Sequence, residues 1–286
     1  MSDQAALRRE LRDAVRDLLP CGSGAWARHA AELREHILTR DLSNFLWWPV
    51  VVNTIRYNPR CVYIPEELDY LERRKDYSGR WEPVLQESPV GLGMAAMPAS
   101  QSTGNLIHTA YHAAMLEDVT GLHVGELAGV VEFGGGYGCL CRVLHGLGFA
   151  GGYILYDLPV LSALQRYYLK SLGRPILPAA EFAGTGIVCV SDLAELAALV
   201  GRLEGLRLFA ATWSLSEVPL ALRDAVAPLV AGFEAYLLAY QEGYEGMDNL
   251  GWFRRWRNGQ PGVDWYDWPI MHLMTGNRYL MGAKCA

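Results

Sequence analysis

The sequence predicts an α/β fold in which a mostly parallel sheet of seven strands, the last pair antiparallel, follows a mainly helical N-terminal cap. Three observations predict it. From about Gly121 onward, short apolar runs alternate with segments of helical periodicity, the pattern of strands and crossover helices. A glycine-rich stretch, Gly134-Gly135-Gly136-Tyr137-Gly138, stands between the first apolar run and the first of those helices. The last two apolar runs are separated only by Thr275-Gly276-Asn277, far too little chain for a parallel crossover.

The elements follow in order. Leu7, Leu11, Val15 and Leu18 fall on one helical face, and Pro20, Gly22 and Gly24 end that helix. Trp26, Ala30, Leu33 and Ile37 form the stripe of a second helix, with His29 and His36 off the stripe and expected in solvent. Residues 57–104 carry Pro59, Pro65, Pro83, Pro89 and Pro98 among many polar residues and read as irregular connection or short helix, a lid. Residues 1–104 are therefore expected to cap a main domain spanning 105–286. Within it, Gly129–Phe133 is the first strand, followed by a helix bearing Leu140, Val143, Leu144 and Leu147. Tyr153–Tyr156 and a helix over Leu161–Leu172 come next, then strands at Ile187–Val190, Leu208–Thr212 and Ala235–Tyr240. Ile270–Met274 and Tyr279–Ala283 make the closing antiparallel pair. No internal repeat or low-complexity tract interrupts the chain.

Composition excludes several function classes. The 286 residues carry a formal net charge of −6, without the basic stripe that a nucleic-acid binder needs to meet phosphates. The charged N-terminus lacks an apolar signal core. The longest apolar-leaning run, Ala225 to Tyr240, is interrupted by Pro228 and Glu234 and is too short to cross a bilayer. Six cysteines are scattered, with Cys139 and Cys141 too close for a zinc knuckle. That usage predicts reduced thiols in a cytoplasmic protein.

The glycine stretch points to a ligand. It follows the buried run Val130-Val131-Glu132-Phe133, and glycines there let the backbone turn sharply and approach a bound group. A dinucleotide fingerprint would need a third glycine where Cys139 stands. The observed form, E-x-G-x-G-x-G, resembles the first motif of class I S-adenosylmethionine-dependent methyltransferases. Asp157, closing the next strand in Tyr156-Asp157-Leu158-Pro159, is placed to accept hydrogen bonds from ribose hydroxyls. Ser191-Asp192 closes the third strand, where a carboxylate could meet an adenine amino group or simply cap the following helix.

More broadly, the run EFGGGYGCLCRVLHGLGFAGGYILYDLPVLSALQRYYL resembles the sugar O-methyltransferases encoded in bacterial polysaccharide gene clusters. Ser102-x-x-Asn105-x-x-His108-x-x-Tyr111-His112, Trp213-Ser214-Leu215-Ser216-Glu217 and Tyr279-Leu280-Met281-Gly282 resemble the same family, over roughly residues 100–286. The resemblance implies a Rossmann-like class I methyltransferase fold and methyl transfer from S-adenosylmethionine to a saccharide or oligosaccharide hydroxyl, leaving S-adenosylhomocysteine. It implies cofactor contacts at Glu132, Gly134, Gly135, Gly136, Tyr137 and Gly138. Further cofactor contacts are expected at Asp157, Leu158, Ser191, Asp192, Thr212 and Trp213, with Gln101 and Ser102 reaching in from the lid.

An alcohol is a poor nucleophile until deprotonated, so a base, or a divalent metal that acidifies the hydroxyl, is expected near the carboxyl edge of the sheet. Glu217 is the first candidate base, its alternative being a cap for the helix opening at Pro219. His108 and His112, spaced i, i+4, share one helix face and could orient the acceptor, take its proton or merely pack; two imidazoles alone do not complete a metal site. His272 is a further candidate base, and His145 is expected to be structural. For the substrate, Asn105, Tyr111, Asn249, Trp252 and Arg255 are candidates. The tryptophan-rich segment between the fifth strand and the closing pair would arch over the mouth, unless Trp252 and Trp256 are core and the arginines are a solvated face. A small phenol or amine acceptor, or a non-catalytic binder of the same cofactor, are the rival readings, and a homodimer is compatible with all of them.

Overall fold

Apolar strands meet their expected positions in the computed structural model, which describes residues 4–22, 24–55, 63–92 and 102–284; Pro59, Pro98 and Gln101 lie outside the described residues. The strands are β1 (Gly129–Phe133), β2 (Gly152–Tyr156), β3 (Gly186–Val190), β4 (Arg207–Thr212), β5 (Ala235–Gln241), β6 (Val263–Pro269) and β7 (Asn277–Lys284). They form one sheet in the order β3-β2-β1-β4-β5-β7-β6. The first five are parallel, with Val131 opposite both Ile154 and Phe209. β7 runs antiparallel between β5 and β6, with Leu238 opposite Leu280. This order and the reversed β7 are those of the Rossmann-like class I methyltransferase sheet. The order reverses between β1 and β4, and a sheet of this kind opens a crevice at the carboxyl ends of the strands there.

Helices cover both faces, which is why β1 to β5 read as continuous apolar runs rather than alternating ones. One face carries α1 (Gln4–Arg16), α2 (Gly24–Thr39), α4 (Ile64–Glu72), α5 (Gly104–Thr120), α6 (Cys139–Gly146) and α7 (Pro159–Ser171), with the short helix α3 (Pro49–Val52). Their apolar sides bury Val130, Tyr153 and Leu208 of the sheet. The other face carries α8 (Leu193–Val200), α9 (Leu220–Val226) and α10 (Asn249–Asn258) over Val131, Ile154, Phe209 and Tyr236. The N-terminal region shares its core with the sheet: Leu11, Val15, Ile37 and Phe45 belong to the same buried cluster as Leu164 and Leu144. Phe45 meets Tyr137, Tyr167 and Tyr168 edge-on. Among the described residues no helix is long and apolar enough to cross a membrane.

Two expectations are corrected. The strand anticipated at Ile270–Met274 is the turn before β7; the partner of β7 is instead β6, an edge strand in which Asp264 is exposed and Asp267 pairs with Arg257 and Arg278. Of the apolar run only Ile270 is buried, while Met271 and Met274 are 84% and 83% exposed. His36, expected in solvent, is buried with its ring edge-on to Trp48.

Candidate active site

A cavity of about 470 Å³ opens at the carboxyl ends of β1 and β4, within the roughly 300–1,000 Å³ typical of small-molecule sites. The turn from β1 into α6 forms its floor. Gly134 has φ 73° and Gly136 φ 60°, the left-handed region that a side chain disfavours. A Cβ on Gly134 would lie 2.2 Å from the Cβ of Ser214, so the turn can approach the segment after β4 only as glycine. The Ser214 hydroxyl donates to the Phe133 carbonyl and fastens the two together. Glu132, the last but one residue of β1, lines the cavity and is buried. Burial raises its pKa to about 7; the 2.6 Å hydrogen bond donated by Tyr153 opposes the rise and the nearby Asp157 adds to it.

Gly135 and Tyr137 also line the cavity, whereas Gly138 serves as N-cap of α6 and does not. Asp157 is placed behind the turn. Its carboxylate accepts from the Gly136 amide at 3.0 Å, the Leu158 amide at 2.8 Å and Gln165 Nε2 at 2.9 Å. Burial pushes Asp157 up to about 7 against those bonds. Neither Asp157 nor Leu158 forms part of the cavity wall, and neither do Ser191 and Asp192. Asp192 caps α8 by accepting from the Glu195 amide at 2.8 Å.

α5 supplies a second wall. It is buried on nearly every side, so its polar residues face partners rather than water. Asn105, His108, Thr109 and His112, at helical i, i+3, i+4 and i+7 spacing, all line the cavity. Asn105 donates to the Tyr137 hydroxyl at 2.7 Å. His108 Nδ1 lies 2.7 and 2.9 Å from the two carboxylate oxygens of Glu67, on α4. The same carboxylate takes Nε2 of His272 at 2.9 Å. Burial alone would raise the Glu67 pKa, but the hydrogen bonds from both imidazoles outweigh it and hold the carboxyl below its ordinary value. His112 shares a 2.6 Å hydrogen bond with the Tyr279 hydroxyl; full burial, with His108 and His272 nearby, drives its pKa well down, so it is neutral at neutral pH.

The third wall follows β4. Thr212, Trp213, Ser214 and Glu217 line the cavity. Trp213 holds φ at 63°, a strained conformation for a bulky residue, and strain of this kind is stored where a site needs it. Its amide donates to Ala239 O at 2.6 Å and its indole to Asn277 Oδ1 at 2.7 Å. The His108 ring stacks on it with centroids 5.6 Å apart. Glu217 accepts from Trp26 Nε1 at 2.9 Å and from Gln241 Nε2 at 2.8 Å, and burial raises its pKa despite both. Trp26 and residues 52–55 of the N-terminal region close the roof, with Ile55 against Gly136.

Several expected site residues lie elsewhere. Ser102 donates to the Leu85 carbonyl, and Tyr111 packs edge-on to Tyr70 and His272 outside the cavity. Asn249, Trp252 and Arg255 are on α10, across the sheet. Asn249 is buried, accepting from Arg223 at 2.6 Å and donating to the Gln241 carbonyl at 2.8 Å. Trp252 is core beside Phe253 and Trp256, and Arg255 lines a separate groove with Leu220 and Asp224. Trp256 and Trp265 cover Phe209 and Tyr236, Trp252 stacks on Trp256, and Trp268 packs against Tyr279 on the opposite face, and none of the four lines the cavity. His145 is structural, its Nδ1 bonded to the Cys141 carbonyl. Glu67 and Gln241 were not anticipated; Glu67 lies 41 residues from His108 and 205 from His272, so no local spacing announces it. Among the described residues no group of three or more His, Cys, Asp or Glu side chains is placed to hold a metal ion.

No family model and no curated protein matches the sequence. Similar solved structures include the methyltransferase domain of bacterial CtHen1, at 12% identity over 64% of this chain and 99% of that one, with a TM-score of 0.44. The glycopeptide N-methyltransferase MtfA with sinefungin is 13% identical over 62% of this chain and 87% of its own, with a TM-score of 0.42. Magnesium protoporphyrin IX methyltransferase from Synechocystis PCC 6803 with bound SAM is 14% identical over 80% and 100%, with a TM-score of 0.40.

Proposed function

We propose that this chain transfers a methyl group from S-adenosylmethionine to a hydroxyl of a saccharide. The observation that carries the reading is the sharing of one cavity by three things: a bare-backbone turn after β1, the buried carboxyl of Glu132 and an imidazole pair on α5. The residues suit the cofactor. Glu132 is a buried acid on the wall that an α-ammonium group would ionise and pair with, and Gly134, Gly135 and Gly136 let a ligand lie against the main chain. Asp157 supports that turn from behind through the Gly136 amide; contacting a ribose would require it to give up that bond.

When bound, S-adenosylmethionine supplies an electrophilic methyl group. Trp26, Ile55 and Leu273 exclude water from above, and Thr212 and Trp213 fix the edge of β4 beneath. The acceptor space is bordered by the amides of Asn53, Asn105, Gln241 and Asn277 beside the rings of Trp213 and Tyr63. Amides bond hydroxyls in either direction and aromatic faces cover sugar C–H surfaces, which favours a sugar over a flat phenol. The sequence resemblance supports the same acceptor. His108 and Glu217 on the wall are the groups able to take the hydroxyl proton.

Methyl transfer from radiolabelled S-adenosylmethionine to a panel of neutral sugars, phenols and amines tests the reading. Label on sugar hydroxyls supports it, label confined to phenols or amines reassigns the acceptor, and a chain that binds neither the cofactor nor S-adenosylhomocysteine overturns it.

A further inference from the structure

We propose that His108 takes the proton of the acceptor hydroxyl and that Glu67, contributed by α4 of the N-terminal region, is the positioning residue that holds it in the competent tautomer; this rests on the methyl-transfer reading above. Glu67 is fully buried and holds an imidazole on each side, from helices and a turn that are distant in sequence. A carboxylate on Nδ1 keeps the proton there, and the basic nitrogen of that tautomer is Nε2. The ring plane is fixed from a second direction by stacking on Trp213, whose strained backbone sets it at the mouth of β4. The result is a base on the α5 wall, an orienting acid buried behind it and a rigid platform from the β4 wall beside it.

The rival groups are less suited. Each oxygen of Glu217 already accepts a protein donor, from Trp26 and from Gln241, so an acceptor hydroxyl has to displace one of them to reach the carboxylate. His112 has no carboxylate on its ring: its Nδ1 is bonded to the Tyr279 hydroxyl, and burial with His108 and His272 nearby drives its pKa well down. The titratable groups facing His108 are Glu67 from α4, His272 from the turn before β7, His112 from its own helix, and Tyr63. Only Glu67 among them carries negative charge to balance an imidazolium.

In the step itself, the hydroxyl oxygen forms its bond to the methyl carbon as the carbon–sulfur bond breaks and its electron pair stays on sulfur. The O–H proton passes to Nε2 of His108, and the imidazolium, paired with Glu67, later releases it to solvent. The positive charge that begins on the sulfonium thus ends as that proton.

Glu67→Gln and His108→Gln in the full chain test the assignment through three readouts. Imidazole ¹⁵N shifts of the ligand-free parent are expected to report the Nδ1–H tautomer at His108, and Glu67→Gln is expected to disturb it. His108→Gln is expected to lower kcat by about 10²–10⁴-fold, and Glu67→Gln by on the order of 10²-fold, flattening the low-pH limb of the kcat profile. S-adenosylhomocysteine affinity by calorimetry is expected to stay within about twofold in both, which separates loss of the base from loss of the fold. A His108→Gln chain that keeps the parent's turnover, or a Glu67→Gln chain with unchanged tautomer and kcat, overturns the assignment. A parent chain that binds no S-adenosylhomocysteine instead overturns the methyl-transfer reading and the role of base with it, while the tautomer measurement still decides whether Glu67 orients His108.

Discussion

Glu132→Gln should make the ligand-free protein more stable, and increasingly so as pH rises. The Glu132 side chain is buried at 4% exposure with one hydrogen bond, from Tyr153, and burial raises its pKa from 4.5 to about 7. For an acid raised in this way the native state prefers the protonated form. Its stability is therefore greatest below the unfolded value near 4.5 and falls as pH climbs through about 7. At 1.36 kcal/mol per pH unit, the ionised form costs the fold about 3 kcal/mol above pH 7. An isosteric amide removes that cost and can still accept from Tyr153. Asp157, itself raised to about 7 by burial, lies close enough for its charge to add to the rise at Glu132. Urea denaturation at pH 5 and pH 8 checks this. The advantage of Glu132→Gln over the parent should grow by about 2–3 kcal/mol between those pH values. Equal stabilities at pH 8, or a difference that does not change with pH, would refute a buried, protonatable Glu132.

The remaining predictions concern the turn and the far face. Gly134→Ala places a methyl 2.2 Å from Ser214 Cβ at φ 73°; thermal unfolding should reveal a loss of about 1–3 kcal/mol, with cofactor affinity lost alongside. Trp252→Ala removes a core ring on α10 and should destabilise the chain by about 3–5 kcal/mol in denaturation experiments. Arg255→Ala, in the groove beyond it, should leave turnover and melting temperature within error of the parent; a tenfold loss of turnover would return α10 to the substrate site.

What could be read from the chain tracks how locally each feature is encoded. β1 to β5 are mostly apolar because helices bury both sides, and such runs announce themselves. β6 does not, because an edge strand with Asp264 and Asp267 among its tryptophans shows no such run, while Ile270–Met274 mimics a strand and is a turn with its methionines in solvent. The E-x-G-x-G-x-G turn was legible since glycine at positive φ is a local requirement. The α5 stripe was legible since its spacing is helical. The sheet face on which α10 lies was not, as nothing in Trp252 or Arg255 distinguishes arching over the mouth from covering Tyr236. Glu67 was silent for a related reason: its meaning arises only when α4 is folded against α5 and the turn before β7.

Calorimetric titration of S-adenosylhomocysteine into the parent chain at pH 6 and pH 8 bears most directly on what the crevice between β1 and β4 is for. One molecule should bind per chain, about tenfold more tightly at pH 8 as Glu132 gives up its proton to meet the ligand's ammonium group, and Glu132→Gln should weaken binding and erase the pH dependence. No binding at either pH, or saturation by NAD instead, would contradict it.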